Sequence, residues 1–317
     1  MMRFDRIALG RQSKELGFVR DTFEKVCRLA DVLAFMESDA LLSDTLALKG
    51  GTAINLTIFD LPRLSVDIDM DYSKDVSREA MLQEREQISK HISKYMDAAG
   101  YNISSKSKKY HALDSFVYEY INAGGMKDNL KIEINYMLRC HVFPVLRRAV
   151  RLPWDDKELS VLSVHPMEIF SAKTIALLNR SAARDLYDMF NLQKYGLLDK
   201  SQEILFKKCI IFYFAITSQI VPDHFNFDGI RKISAQKIKT DLIPVSRRTE
   251  RFDLSTAQDQ VENYLKEILL PEGDLSFWKA FAKGEYKPAL LFDDVELLSR
   301  ISRHPMALWK CSRNTQK

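Results

Sequence analysis

The sequence predicts an α+β protein with a mixed sheet and flanking helices in its first half, followed by a helical domain. Apolar and polar residues alternate in "VDIDMD" at 66–71, as in a strand with one buried face. Strand-like and helix-like segments are mixed up to about residue 160. From "HPMEIFSAKTIALLNR" at 165–180 onward the patterns are nearly all helical. We therefore expect two domains, 1–160 and 161–317.

The first half begins with a long amphipathic helix, predicted over 11–38 from an apolar stripe through Val26, Leu29, Leu33 and Met36. The elements predicted after it are a strand "LALKGG" at 46–51 ending in a Gly-Gly turn, a short helix "TAINLTIF" at 52–59, the strand at 66–71, a helix at 77–99, and strands at 101–108, 113–121 and 130–138.

The second half is predicted to contain helices at 166–180, 184–194, 201–219, 228–239, 256–269 and 288–302. Its longest apolar run, "CIIFYFAITSQIV" at 209–221, is too short and too polar at its end to cross a bilayer, and indicates a buried helix.

Composition places few limits on function. With 317 residues and 46% hydrophobic content the chain can bury a sizeable core, and its net charge of +4 is compatible with a nucleic-acid or nucleotide partner without requiring one. The four cysteines form no paired motif, so structural zinc and disulfides are not expected. The N-terminus lacks the apolar core of a signal peptide. We expect a cytoplasmic protein without a membrane partner.

Three aspartates lie on one face of the strand at 66–71. Because side chains alternate across a strand, Val66, Ile68 and Met70 point to the core, and Asp67, Asp69 and Asp71 point the other way. These carboxylates repel one another, and a divalent cation would neutralise them. If "KIEINY" at 131–136 is a neighbouring strand, Glu133 can join the cluster. Oxygen ligands of this kind suit Mg²⁺ or Mn²⁺.

The turn that precedes this strand suits phosphate binding. In Gly50-Gly51-Thr52, glycines would let backbone N–H groups approach a phosphate, and a helix start adds partial positive charge. Basic Lys49 and Arg63 flank the turn. Taken singly, the glycines could form an ordinary turn and the aspartates an ordinary solvated strand face. Their order along the chain favours a nucleotide site.

This order resembles the nucleotidyltransferase superfamily, and more closely the AbiEii family of toxins from bacterial abortive-infection and toxin–antitoxin systems. The resemblance lies within residues 46–192 and is carried by four stretches, "LKGGTAINL", "RLSVDIDM", "LKIEINY" and "EIFSAKTIALLNRSAARDLYDMFNL". The last stretch, with its lysine and Arg-Asp-x-Tyr-Asp block, distinguishes AbiEii from the wider superfamily.

The resemblance implies functional roles for Lys173 and Asp185. Lys173 would neutralise triphosphate charge, and Asp185 would either orient that lysine or help to activate the attacking hydroxyl. From spacing alone, Lys173, Arg180 and Arg184 could equally be a charged helical face with structural salt bridges.

The implied reaction is transfer of a nucleotide from an NTP. Asp67 and Asp69 would bind the metal, and Glu133 is the candidate third carboxylate, where a general base would act. The residues assigned to nucleotide binding are Lys49, Gly50, Gly51, Thr52, Arg63 and Ser65.

The acceptor implied by the resemblance is RNA, first of all the 3′ end of tRNA, which would block translation. Two basic runs, at 134–153 and 229–251, could contact an RNA backbone, or could be ordinary solvated surface. A protein hydroxyl is the alternative acceptor, and a non-catalytic interaction module that keeps only the fold is the alternative to an enzyme. A cognate antitoxin is expected, which need not touch the toxin.

Overall fold

The computed structural model describes residues 4–155, 158–270 and 275–314. The chain divides into two units. Unit 1 comprises the chain up to Arg139 together with Val145–Val164 and Pro244–Glu250, and unit 2 comprises Cys140–Pro144, His165–Ile243 and the chain from Arg251 onward. Each unit is therefore built from several stretches of the chain.

Unit 1 combines helices with a mixed sheet. Its helices are α1 (Arg6–Leu16), α2 (Arg20–Ser38), α3 (Ala40–Thr45), α4 (Gly50–Ala53), which continues as a π-helical turn at Ile54–Ile58, and α5 (Arg78–Ala98). Its strands are β1 (Leu46–Lys49), β2 (Asp67–Tyr72), β3 (Asn102–Ile103), β4 (Lys108–Lys109), β5 (Leu113–Ile121), β6 (Lys127–Asn135), β7 (Leu146–Val150) and β8 (Leu159–Ser163).

In the described part of unit 1 these strands form one sheet of eight, in the order β3-β5-β6-β2-β1-β8-β7, with β4 paired to β5. Strand β2 is antiparallel to β1 and parallel to β6, and β8 is parallel to β1. The strand with the aspartates therefore lies in the middle of the sheet, between β1 and β6.

The core of unit 1 follows the apolar patterns of the sequence. Strand β1 is buried through Leu46, Ala47 and Leu48, and α2 buries the predicted stripe. Helix α5 is anchored to β5 by an ion pair, in which the Arg85 guanidinium donates to the fully buried Asp114 carboxylate at 2.7 and 3.1 Å. Breaking a buried pair of this kind leaves an uncompensated charge, so the pair fixes the helix on the sheet.

Unit 2 is helical in its described part. Its helices are α6 (Pro166–Arg180), α7 (Ala183–Lys194), α8 (Lys200–Thr217), α9 (Asp228–Arg231), α10 (Ala235–Lys237), α11 (Leu254–Leu269), α12 (Ser276–Ala282), α13 (Val295–Ile301) and α14 (Pro305–Asn314), with a π-helical turn at Ile238–Leu242 and a 3-10 turn at Pro288–Leu290.

Helix α8 is buried from Cys209 to Ile216, as its apolar run predicts. Near it, the fully buried carboxylate of Glu168 accepts hydrogen bonds from the Tyr213 hydroxyl and from the backbone N–H groups of Val142 and Phe143. Burial alone would raise the pKa of Glu168, but His141 and these hydrogen bonds lower it overall. The carboxylate thus fixes the stretch at 140–144 within unit 2.

The α+β fold class is confirmed, and several element boundaries differ from the predictions. The predicted helix over 11–38 is two helices, because Gly17 adopts a left-handed conformation that ends α1. The strand predicted at 130–138 ends at Asn135, whose side chain accepts hydrogen bonds from the N–H groups of Met137 and Leu138 and so forms a turn. The stretch 101–108 holds two very short strands instead of one.

The helices predicted at 228–239 and 288–302 were too long. Ser234 begins a new turn by accepting a hydrogen bond from the Lys237 N–H, and Asp294 in the same way begins α13. Strands β7 and β8 and helices α3, α12 and α14 were not predicted.

The structure also describes the cysteines and the apolar content of the helices. All four cysteines are reduced and buried. Within the part of the chain that the structure describes, no helix combines the length and the apolar content that a membrane crossing needs.

Candidate active site

The turn from β1 into α4 brings a carboxylate against the backbone. Gly50 has a φ of +68°, a left-handed conformation that favours glycine, and a Cβ atom there would lie 2.5 Å from Oδ2 of Asp69. No side chain can be added at Gly50 without displacing that carboxylate. The Asp69 carboxylate therefore lies against the first residue of α4.

The next residue of the turn faces two hydrogen-bond donors. A Cβ atom on Gly51 would lie 2.9 Å from Nη2 of Arg63 and 2.9 Å from Oγ of Ser65. The Arg63 side chain is 1% exposed, and its Nη1 donates to the Leu64 carbonyl at 2.9 Å. A guanidinium held by packing and hydrogen bonds loses little freedom on binding an anion. The turn therefore presents an acid at Gly50 and a guanidinium and hydroxyl at Gly51.

Two buried polar side chains hold the turn in place. Thr52 is fully buried, and its hydroxyl donates to the Asp67 carbonyl at 2.5 Å. Asn55, also fully buried, donates through Nδ2 to the Gly51 carbonyl at 2.7 Å and accepts from the Arg63 N–H at 3.3 Å. The short helix is thereby joined to the start of β2 and to Arg63.

The aspartates lie on one face of β2, as the alternation predicts. Ile68 and Met70 are buried, while Asp67 and Asp69 are partly exposed. In the sheet, Asp69 is opposite Lys49 on β1 and opposite Glu133 on β6. The predicted neighbourhood of the two strands is confirmed, and Glu133 lies beside Asp69.

The two outer carboxylates of this face are each paired with a lysine. Lys49 donates to Asp71 at 2.5 Å, and Lys131 donates to Glu133 at 2.9 Å. Asp71 is buried, with 3% of its surface exposed, whereas Asp67 and Asp69 are partly exposed. Burial alone would lower the pKa of Lys131, but Glu133, Asp67 and Asp69 raise it overall. The carboxylates of this face therefore stabilise the charged form of Lys131.

This donor set fits Mg²⁺ bound together with a nucleotide. No group of three or more His, Cys, Asp or Glu side chains that could hold a metal occurs among the described residues. Mg²⁺ commonly needs no such group, because it binds one or two carboxylates and completes its shell with waters and substrate phosphates. Asp67 and Asp69 would supply the carboxylates. The Asp69 carboxylate, the Arg63 guanidinium and the Ser65 hydroxyl lie where side chains at Gly50 and Gly51 would otherwise be, so these groups come close to the backbone of the turn.

Unit 2 contains a buried charge cluster formed by Lys173 and the Arg-Asp-x-Tyr-Asp block at 184–188. Nζ of Lys173 lies 2.9 Å from Oδ1 of Asp185 and 3.1 Å from Oδ2 of Asp188. Arg180 also contacts Asp185, with Nε 2.7 Å from Oδ2 and Nη2 3.0 Å from Oδ1. Asp185 is fully buried. Burial raises its pKa, but the charges and hydrogen bonds of Lys173 and Arg180 lower it overall.

Lys173, Arg180 and Arg184 would share one helical face only if a single helix continued through them. The chain instead turns at Ser181, which has a φ of +53°, and a second helix begins at Ala183, so the two helices predicted from the sequence are separate. Lys173 on α6 therefore reaches across to Asp185 and Asp188 on α7. The salt bridges join two helices.

Several residues of the predicted basic runs make contacts within their own unit. In unit 1, Arg147 pairs with Glu37, and Arg148 donates to the Thr57 carbonyl at 3.1 Å. In unit 2, Arg231 pairs with Asp259 and Glu262. Lys232, Lys239 and Arg251 are exposed. The runs are therefore partly structural.

Sequence reasoning missed two residues of this region. Asn55 was treated as part of an ordinary short helix, although an asparagine four residues after Gly51 in an otherwise apolar stretch is a detectable signal. Lys131, the first residue of "KIEINY", was given no role, although it pairs with Glu133.

Comparison with known proteins gives two findings and one negative result. The model of the family described as nucleotidyl transferase AbiEii toxin, type IV TA system, matches residues 32–283. Among solved structures, MenT4, a nucleotidyltransferase toxin from Mycobacterium tuberculosis H37Rv, is similar with a TM-score of 0.64 and 14% sequence identity, over 96% of this chain and 99% of that chain. At this identity the likeness shows a common fold. No curated protein gives a significant match. Because the family model covers most of the chain, the protein belongs to the AbiEii family of nucleotidyltransferase toxins of type IV toxin–antitoxin systems.

Proposed function

We propose that this toxin transfers a nucleoside monophosphate from a Mg²⁺-bound NTP to RNA, with the 3′ end of tRNA as the first acceptor to test. Mn²⁺ is the alternative metal. The observation that carries the proposal is the turn at Gly50–Gly51. It places the Asp69 carboxylate against one glycine and the Arg63 guanidinium and Ser65 hydroxyl against the next. A metal–triphosphate needs an acidic ligand and phosphate donors close together.

In this mechanism Asp67 and Asp69 would bind the metal, and Gly51, Arg63 and Ser65 would contact the phosphates. A metal held there would supply charge neutralisation during transfer. Thr52 has a structural role, because its hydroxyl group donates a hydrogen bond to the Asp67 carbonyl. Lys49 is held beside the turn by Asp71 and adds positive charge on the nucleotide side. Attack of an acceptor hydroxyl on the α-phosphorus releases pyrophosphate.

We propose that Lys173 contributes positive charge to the phosphates during transfer, and that Asp185 is a positioning residue. Asp185 is fully buried, and both of its oxygens are engaged by Lys173 and Arg180. A carboxylate held in this way and with a lowered pKa is a poor proton acceptor, which favours the orienting role over activation of a hydroxyl.

RNA as the acceptor is supported by the family resemblance and by the exposed basic side chains of unit 2. Lys232, Lys239 and Arg251 can contact phosphates of an RNA backbone, and such binding weakens as salt is raised. The cognate antitoxin that the family implies would act in the cytoplasm and need not touch the toxin.

The test is a labelling experiment with the full-length protein. Purified toxin is incubated with total RNA, bacterial lysate protein and each α-labelled NTP, with Mg²⁺ or with EDTA. The proposal expects label on RNA of tRNA size, in Mg²⁺ only, and none with Asp67→Asn. Label on a protein band would instead identify a protein hydroxyl as the acceptor. Absence of label under all conditions, with toxicity retained by Asp67→Asn, would indicate a non-catalytic module.

A further inference from the structure

The polar face at the middle of the sheet carries four carboxylates and two lysines. Asp67, Asp69 and Asp71 lie along β2, and Glu133 lies opposite Asp69 on β6. By position alone Glu133 could be a third metal ligand. Its carboxylate is instead hydrogen-bonded to Nζ of Lys131 at 2.9 Å.

Lys131 is well placed to keep that carboxylate away from a metal. It lies two residues before Glu133 on the same strand, so both side chains emerge on one face of the sheet, and its Cα is opposite that of Asp67. The lysine side chain is 38% exposed and the Glu133 side chain 28%. The pair thus sits at the edge of the aspartate face, in contact with solvent.

The opposite side of the same face repeats this arrangement. Asp71 is paired with Lys49 on β1, just as Glu133 is paired with Lys131 on β6. Each outer carboxylate therefore has its own ammonium group, and Asp67 and Asp69 lie between the two pairs. An ammonium group bound to a carboxylate occupies lone pairs that a metal would otherwise use.

We propose that Lys131 is a positioning residue that holds Glu133 out of the metal coordination shell, so that the protein ligands of the metal are Asp67 and Asp69. This inference rests on the proposed function and refines it, since it assigns Glu133 to an ion pair instead of the third-carboxylate position. Waters and phosphate oxygens would fill the remaining positions of the shell.

The experiment measures Mn²⁺ on the full-length protein without nucleotide, by electron paramagnetic resonance. The free Mn²⁺ signal gives the affinity, and electron–nuclear double resonance in H₂O and D₂O gives the number of metal-bound waters. Lys131→Met keeps the apolar stem and removes the ammonium group. In this variant we expect about fivefold tighter binding, because a nearby positive charge is lost. We also expect fewer bound waters, because Glu133 now enters the shell.

Two further variants separate charge from coordination. Glu133→Gln should keep the wild-type number of bound waters, and Lys131→Met/Glu133→Gln should return to that number. Lys127→Met is the matched control, since it removes the same charge from the same face of β6, about 13 Å along the strand. It should change neither quantity.

The inference is overturned if Glu133→Gln gains bound water relative to the wild type, because Glu133 would then already be a ligand. It is also overturned if Lys131→Met leaves the number of bound waters unchanged, because Glu133 would then stay outside the shell without the lysine. The proposed function fails separately, if Asp67→Asn/Asp69→Asn binds Mn²⁺ as the wild type does. Thermal unfolding of each variant shows whether it is folded.

Discussion

Oδ2 of Asp69 lies 2.5 Å from the place that a Cβ atom on Gly50 would occupy, so the acid and the glycine are matched to each other. The turn can be this tight only because Gly50 lacks a side chain and can adopt a φ of +68°. Gly50 thus has two structural functions, one in the backbone conformation of the turn and one in the position of the Asp69 carboxylate.

Gly50→Ala should reduce transfer far more than it reduces stability. The added Cβ must displace Asp69, and a shift of about 1 Å in a catalytic group can cost about a hundredfold in rate. The left-handed conformation adds a cost of about 1–2 kcal/mol in unfolding free energy. The measurements are the rate of label transfer to RNA and chemical denaturation.

Gly100→Ala is the control for this substitution. Gly100 also has a left-handed φ, +83°, but a Cβ atom there meets nothing within 4 Å. It should lose similar stability and retain activity. Equal losses of activity in the two variants would show that Asp69 is not positioned by the turn.

Asn55→Ala should destabilise unit 1 and weaken NTP binding. It removes a buried side chain that bonds both the Gly51 carbonyl and the Arg63 N–H, and unsatisfied buried groups cost about 1–3 kcal/mol. The comparison is Thr57→Val, which removes only a hydroxyl bond to the Ala53 carbonyl. The nucleotide affinity measured by calorimetry should fall at least about fivefold more in Asn55→Ala, since about 1 kcal/mol corresponds to about fivefold in affinity. The same affinity in both variants would contradict a positioning role for Asn55.

Lys173→Met should lower the transfer rate by about a hundredfold, as the removal of one charge-stabilising group does in other active sites. It also leaves Asp185 and Asp188 with less compensation, and breaking a buried pair costs about 3–5 kcal/mol. Lys208→Met is the control, since its partner Asp293 is exposed, and such surface pairs contribute at most about 1 kcal/mol. Retained transfer by folded Lys173→Met would exclude the proposed role of the lysine.

Asp185→Asn tests the charge of the same cluster through pH. The folded state lowers the Asp185 pKa below its usual 3.8, so this charge stabilises the protein above about pH 4, and the contribution is lost as pH falls further. The difference in unfolding free energy between wild type and variant should therefore narrow below pH 4. A constant difference would show that the stabilisation does not depend on the charge.

His304 makes the free energy of unfolding depend on pH closer to neutrality, between pH 7 and pH 5. Burial, followed by the charge of His141, lowers the pKa of His304 from 6.5 to about 4, while nearby Glu168 opposes the shift. His304 therefore becomes protonated below pH 6.5 in the unfolded chain, but only below about pH 4 in the folded protein. Stability should fall by about 2 kcal/mol between pH 7 and pH 5 from this group. In His304→Asn, urea denaturation should show a correspondingly smaller fall. An equal loss of stability between pH 7 and pH 5 in both proteins would show that His304 is not the group responsible.

The sequence predicted those parts of the fold that local periodicity determines. Helix α6 begins and ends at Pro166 and Arg180, as predicted, because an apolar stripe and a proline at the first position define it. The alternation in β2 predicted its two faces. Strands β7 and β8 escaped prediction because they are short, and because β8 is placed by its parallel pairing with β1, more than a hundred residues earlier.

The order of the candidate site residues along the chain could be predicted, but the partners of their side chains could not all be predicted. Gly50, Gly51, Asp67 and Asp69 are recognisable from spacing. The lysine partner of Asp71 depends on which strands are neighbours and in which register, and a one-residue shift would move every side chain to the other face. The roles of Asn55 and Thr52 depend on burial, which spacing does not give.

The central claim is that Asp67 and Asp69 bind a metal-bound triphosphate at the Gly50–Gly51 turn. It is tested most directly by equilibrium binding of labelled NTP to the full-length protein, with Mg²⁺ and with EDTA, for the wild type and for Asp67→Asn/Asp69→Asn. The account predicts binding by the wild type that needs Mg²⁺ and is at least about tenfold weaker in the variant, since charge-assisted contacts contribute at least 1.4 kcal/mol. NTP binding that is equally strong in EDTA, or unchanged in the variant, would contradict it.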